Sequence, residues 1–185
     1  LSAYIWIIFG ACLLALLATG IVGLRALDAH DKATSRMHER WIASFGLINR
    51  VSAGLMDNRN ELTLLVQHSL GQAVAGPHDE AGHIRQMRRT IAQVDAEWQA
   101  FGNEFAASPE IAPLAHDFEQ RRKAWLEHLK TVVEAAENKR LTPALALEDA
   151  YAGQARYQAA LATLSAVNAG IVHLANEEIE QSRLH

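Results

Sequence analysis

The sequence predicts an all-α protein, an antiparallel up-down four-helix bundle led by an N-terminal transmembrane helix. Three observations predict it. Residues 1–24, LSAYIWIIFGACLLALLATGIVGL, carry no charge. The rest of the chain shows no clean apolar alternation of the kind strands need. Its turn signals are few and widely spaced, at AGPHDE (75–80), SPE (108–110) and NKRLTP (138–143).

The charge-free run reaches roughly 36 Å as a helix, enough to cross a hydrocarbon core of about 30 Å. Tyr4 and Trp6 sit near one end, as an interfacial aromatic belt would, and Arg25 closes the other. A signal peptide has a shorter apolar stretch of about 7–15 residues and a small-residue cleavage site. Residues 1–24 therefore read as a retained anchor and residues 25–185 as the domain it holds. Because the chain opens on Leu1, residues are expected before it. A second span is expected after His185, where the last helix would meet the membrane again.

The turn signals divide the remainder into helix 1 (25–74, continuing the anchor), helix 2 (79–107), helix 3 (109–138) and helix 4 (143–185). Pro77, Pro109 and Pro143 fall near helix starts, where a missing N–H costs little. Ser108 and Thr142 are suited to N-capping. Each helix carries an inward stripe in steps of three and four. Helix 1 offers Met37, Trp41, Ser44, Ile48, Val51, Leu55, Asn58, Leu62 and Leu65. Helix 2 offers Ile84, Met87, Ile91, Val94, Trp98, Phe101 and Phe105. Helix 3 offers Ile111, Leu114, Phe118, an arginine, Trp125, Leu129 and Val132. Helix 4 offers Leu147, Ala150, Gln154, Tyr157, Leu161, Leu164, Asn168 and Ile171. Such stripes with short loops build an up-down bundle with crossing angles near +20°. Helices 1 and 4 outlast the other two and extend as a stalk at the membrane end.

Composition excludes several functions. Seventeen basic against twenty-one acidic residues, net charge −4, argue against nucleic-acid binding. One cysteine, Cys12, leaves no disulfide framework and no cysteine-rich zinc site. Nine histidines invite a metal or haem reading, but C-x-x-C-H and H-E-x-x-H are missing, and only Glu80-Ala-Gly-His83 has the Glu-x-x-His spacing of a di-iron bundle. No strained nucleophile turn such as G-x-S-x-G occurs. The expectation is no catalytic residue, no metal and no cofactor.

Helix length places several polar residues at one height. Arg59 lies about 22 Å below the end of helix 1, Arg121 and Arg122 about 25 Å below the end of helix 3, and Tyr157 about 21 Å below the start of helix 4. Phe118 and Trp125 are seven apart on the inward face, so Arg121 or Arg122 must occupy the stripe between them. A buried guanidinium keeps its proton and demands an anion. A small organic acid would supply it, with Tyr, Gln and Asn holding the remaining oxygens. Asp95 or Glu97 of helix 2 would serve equally, and snorkelling to the surface is the third outcome. The candidate ligand-binding residues are Arg59, Asn58, Thr63, His68, Arg121, Arg122, Tyr151, Gln154 and Tyr157. Asn58 also suits register-fixing, and the Arg85–Arg88–Arg89 group suits a solvated face.

The segments LINRVSAGLMDNRNELTLLVQHSL and IVHLANEEIEQS, with the order anchor, long helix, two shorter helices and long returning helix, resemble the sensor domain of bacterial chemoreceptors, the methyl-accepting chemotaxis proteins. The resemblance implies an inner-membrane protein with residues 25–185 in the periplasm and a homodimer through helix 1. It also implies a ligand carboxylate gripped at the dimer interface and a cytoplasmic signalling region outside this chain. Arg59 in DNRNEL falls on the first arginine of the aspartate receptor's pattern. The next two fall on Leu64 and His68, and the ligand-contacting threonine falls near Ala146, with Thr142 close by. Loss of that arginine set points to a di- or tricarboxylate such as malate or citrate, or to an amino acid other than aspartate. An input domain of a sensor histidine kinase or cyclic-nucleotide enzyme, and an adaptor that binds no small molecule, are the alternatives.

Overall fold

The computed structural model describes residues 2–71, 79–105 and 107–183. They form α1 (Ser2–Ser69), α2 (Glu80–Phe105), α3 (Ile111–Glu137), the short α4 (Pro143–Glu148), a π-helical turn (Asp149–Gly153) and α5 (Gln154–Arg183). No strand occurs among the described residues. The chain forms two units, Leu1–Ile42 and Ala43–His185. In the first, Leu16, Ile21, Val22 and Leu24 of the charge-free run are exposed. Apolar side chains bare at this density suit lipid better than water.

The second unit is the helical bundle. On α1, Ser44, Ile48, Val51, Leu55, Asn58, Leu62 and Leu65 are all buried, with the alternating steps of the predicted stripe. On α2 the buried set is His83, Ile84, Met87, Thr90, Val94, Phe101 and Phe105, with Ile91 and Trp98 half-buried. On α3, Arg122 is the arginine of the inward stripe, between Phe118 and Trp125, whereas Arg121 is exposed. An aromatic cluster joins the C-terminal part of α2 to the N-terminal part of α3. Trp98 meets Phe118 edge-on at 4.4 Å and stacks on Phe101 at 5.0 Å, and Phe101 stacks on Phe105 at 4.9 Å. Such contacts add to the burial of large rings.

The helix ends follow local chemistry. Thr142 caps α4, its hydroxyl accepting from the Leu145 N–H at 3.2 Å, with Pro143 at the first helical position. Ser108 accepts from the Ile111 N–H at 3.3 Å, so Pro109 belongs to the turn and α3 starts at Ile111, not at 109. Helix 1 ends at Ser69 rather than 74, because Gly71 adopts φ +72, the left-handed conformation that terminates helices. Lys139 lies 2.6 Å from Glu80, tying the turn after α3 to the start of α2. This ammonium holds the Glu80 carboxyl below its ordinary pKa. The resulting stability is present above the usual glutamate range and is lost as pH falls through the lowered value.

The returning helix differs most from its predicted stripe. Tyr157, Ala160, Leu164, Val167, Ile171 and Ala175 face inward, while Leu161 and Asn168 are half-buried. Above the π-turn no residue of α4 is buried, and Leu147 is 59% exposed. A π-turn accommodates an extra residue, so a stripe drawn through it at α-helical spacing leaves the inward face. The stretch Pro143–Gln181 is apolar enough by length and composition to cross a membrane. Its buried side chains identify it as a core helix of the bundle instead.

The register shift is measurable. Leu164→Ala, at a site 2% exposed, is expected to cost about 2–5 kcal/mol in urea unfolding. Leu147→Ala is expected to stay within about 0.5 kcal/mol of the parent. Equal losses would restore the unbroken stripe.

Candidate ligand-binding site

The polar centre of the bundle is built around Asp149, the first residue of the π-turn and 3% exposed. Arg59 of α1 donates from Nη1 to both of its carboxylate oxygens, each at 2.9 Å. From α3, His128 Nε2 lies 2.9 Å from Asp149 Oδ1. Arg156, one turn into α5, places Nη1 3.2 Å from His128 Nδ1. A guanidinium has no acceptor, so Nδ1 must be the acceptor there. The imidazole is then neutral, with its proton on Nε2, donating to Asp149. The result is a chain from Arg156 through His128 and Asp149 to Arg59 that links three helices.

Gly153 makes room for this chain. A Cβ at that position would fall 2.3 Å from His128 Nε2 and 2.4 Å from Asp149 Oδ1. The π-turn and its glycine thus aim the Asp149 carboxylate inward and let the His128 ring reach it. Trp125 forms the floor: its ring centroid lies 5.9 Å from the Arg59 guanidinium carbon, 5.6 Å from the Tyr157 ring and 6.1 Å from the His128 ring. Burial pushes the Tyr157 hydroxyl pKa up, and the nearby Arg59 charge partly opposes this. Two buried polar atoms of this layer have no hydrogen-bond partner, Trp125 Nε1 and Asn58 Oδ1. The chain sets two guanidiniums, half-buried Arg59 and exposed Arg156, beside the single carboxylate of Asp149.

The structure sorts the predicted residues. Arg59, Asn58 and Tyr157 lie in or beside this layer. Thr63 is exposed and donates to the Arg59 carbonyl at 3.0 Å. Gln154 is half-buried at the start of α5, and Tyr151, inside the π-turn, is 73% exposed. His68 packs its ring 5.0 Å from that of His83, whose Nδ1 lies 2.6 Å from Glu61. Arg121 is exposed and lies 3.6 Å from Asp117 on its own helix. Arg122 is buried and pairs with Asp95 of α2 and, at 3.2 Å, with Glu119. Burial pushes the Arg122 pKa down, yet a guanidinium remains charged at neutral pH.

Of the outcomes open for the inward arginine, Arg122 takes the internal pair with Asp95. Arg59 also has a protein anion, Asp149. Asp149, His128, Arg156 and Gly153 were missed. The spacing of an acid and a glycine four residues apart, Asp149 and Gly153, was the available signal. Away from this layer, Glu110, His173 and Glu177 present three exposed ligand atoms within 4.8 Å of one another. They could meet a divalent cation, but nothing else marks that surface as a metal centre.

A protein-family model described as the Tar ligand binding domain homologue, TarH, matches residues 1–170. No curated protein and no solved structure matches the chain.

Asp149→Ala is expected to cost about 3–5 kcal/mol, because it strands the partly buried Arg59 charge. Arg59→Met in that background should recover part of the loss in the same urea titration. Nitrogen-15 NMR of the His128 ring should find the proton on Nε2. A proton on Nδ1 of the neutral ring would refute the chain as drawn.

Proposed function

The chain belongs to the family of the Tar ligand-binding domain, and from that premise we propose that it senses a small anionic metabolite at the Arg59 layer. As a member it is a chemoreceptor's ligand-binding sensor domain. The observation that carries the finer reading is the chain that runs from exposed Arg156 to half-buried Arg59 with one carboxylate between them, so that a guest anion can be met by Arg156 from the solvent side. An organic acid such as malate or citrate, or an amino acid, has a carboxylate to set against Arg156 or to exchange with Asp149 on Arg59. Trp125 Nε1 and Asn58 Oδ1, both buried without a partner, are the donor and acceptor such a guest would have to reach. Tyr157, Gln154 and Thr63 border this place, and His68, Arg121, Arg122 and Tyr151 are outer candidates.

Exchange at Asp149 would act on the π-turn, and so on α5, which continues from it to Arg183. A ligand shifts such an equilibrium only by its differential affinity, typically about 1–3 kcal/mol. Two copies anchored by residues 1–24 in the inner membrane would stand parallel, with the bundles in the periplasm. They would pair through α1, whose outward side exposes Met56. A cytoplasmic signalling region would lie outside this chain.

One observation favours a second reading. Arg59 already has an internal carboxylate, which suits an adaptor bundle that takes no small molecule. Thermal shift of the full chain in nanodiscs, against dicarboxylates, tricarboxylates and amino acids, separates the two. A ligand at a hundredfold its dissociation constant should add about 2.7 kcal/mol of stability. Arg156→Ala, at an exposed position, should remove most of that gain while lowering the unliganded midpoint only by the loss of one hydrogen bond, about 1 kcal/mol. No shift across the panel would leave the adaptor.

A further inference from the structure

The outer face of the α2–α3 pair holds a groove of about 370 Å³, independent of the Arg59 layer. Ile84, Met87 and Ile91 line it from α2, and Leu126, Leu129 and Val133 from α3. Ile84, Met87, Leu129 and Val133 are themselves buried, so the groove is floored by the bundle core. Its size and mostly apolar lining fall in the range of small-molecule sites.

The rim decides what can enter. Arg88 and Glu137 pair across it at 2.8 Å, and Lys130 and Glu134 face each other at 3.8 Å. The four rim charges cancel among themselves. A charged guest would have to break a pair to gain one. An uncharged guest costs nothing there and gains by covering apolar surface. The rim also limits the guest's length. The Arg88–Glu137 pair bridges α2 to α3 at the groove, and the Arg122–Asp95 pair bridges the same helices further down. A partner helix laid along the groove would have to displace the Arg88–Glu137 bridge, whereas a compact molecule need not.

We infer that this groove binds an uncharged apolar molecule of one or two rings. Met87, buried at the floor, is placed to report occupancy of the groove.

Methionine-methyl NMR of the full chain in nanodiscs tests this with toluene as the probe. The chain has three methionines, and Met56, 49% exposed on α1, reports non-specific partitioning. Toluene should shift the Met87 resonance saturably while Met56 drifts linearly or stays still. Benzoate, the same ring with a carboxylate, should shift Met87 at least tenfold less at equal concentration. Ile91→Trp and Leu126→Phe, which fill the groove from opposite walls, should each remove the saturable shift, with Met56 reporting that the fold is kept. The inference is overturned if Met87 merely tracks Met56 or does not move up to toluene saturation. Benzoate binding as tightly as toluene, or persistence of the shift in a folded filled variant, would also overturn it. So would a Met87 shift that depends on protein concentration instead of toluene, which would assign the groove to a second polypeptide.

Discussion

A carboxylate inside a helical bundle must be answered by charge within a few ångströms, because an isolated ion there costs far more than any single contact returns. Asp149 is answered by Arg59, which spends one guanidinium nitrogen on both carboxylate oxygens. His128 completes the shell, and Gly153 clears the space in which imidazole and carboxylate meet. The bulged turn belongs to the same arrangement. It presents the acid to the interior at a level where Leu147 and the rest of α4 lie outside. The pair therefore fixes more than its own geometry. It sets how the upper part of the returning helix leaves the core.

The bundle itself was legible because its information is periodic. Steps of three and four on α1 name its buried side chains from Ser44 to Leu65, leaving only Gly54, packed against Val94, off the stripe, and the aromatic run Trp98, Phe101, Phe105 marks the α2 core. The ends were less legible. Helix 1 stops at Ser69 because one glycine turns left-handed at Gly71, and the turn signals lay several residues further on. The choice between Arg121 and Arg122 could not be made from spacing alone, since neighbours share the gap between Phe118 and Trp125. Packing against Asp95 of α2 chooses Arg122.

The candidate site was half legible for a related reason. Arg59, Asn58 and Tyr157 lie on inward stripes, so periodicity finds them. Asp149 and His128 meet only after two helices have been docked and one of them bulged. A bulge leaves almost no trace in composition: Asp149-Ala-Tyr-Ala-Gly153 reads as ordinary helix apart from its terminal glycine. Arginines invite an external anion whenever their internal partners are out of sight, and here the partners sit 90 and 27 residues away in sequence.

The five-residue bulge also changes how this sequence can be laid beside others. The segments on its two sides keep separate heptad frames, so a gapless pairing with an unbulged relative is out of phase on one side. Positions near Ala146, at which family contacts would be sought, belong to the upper frame. A one-residue deletion between Asp149 and Gly153 would remove the extra residue and join the frames, leaving Leu147 outside while drawing the acid off its arginine. Shortening by a single alanine is thus a larger structural edit here than most substitutions.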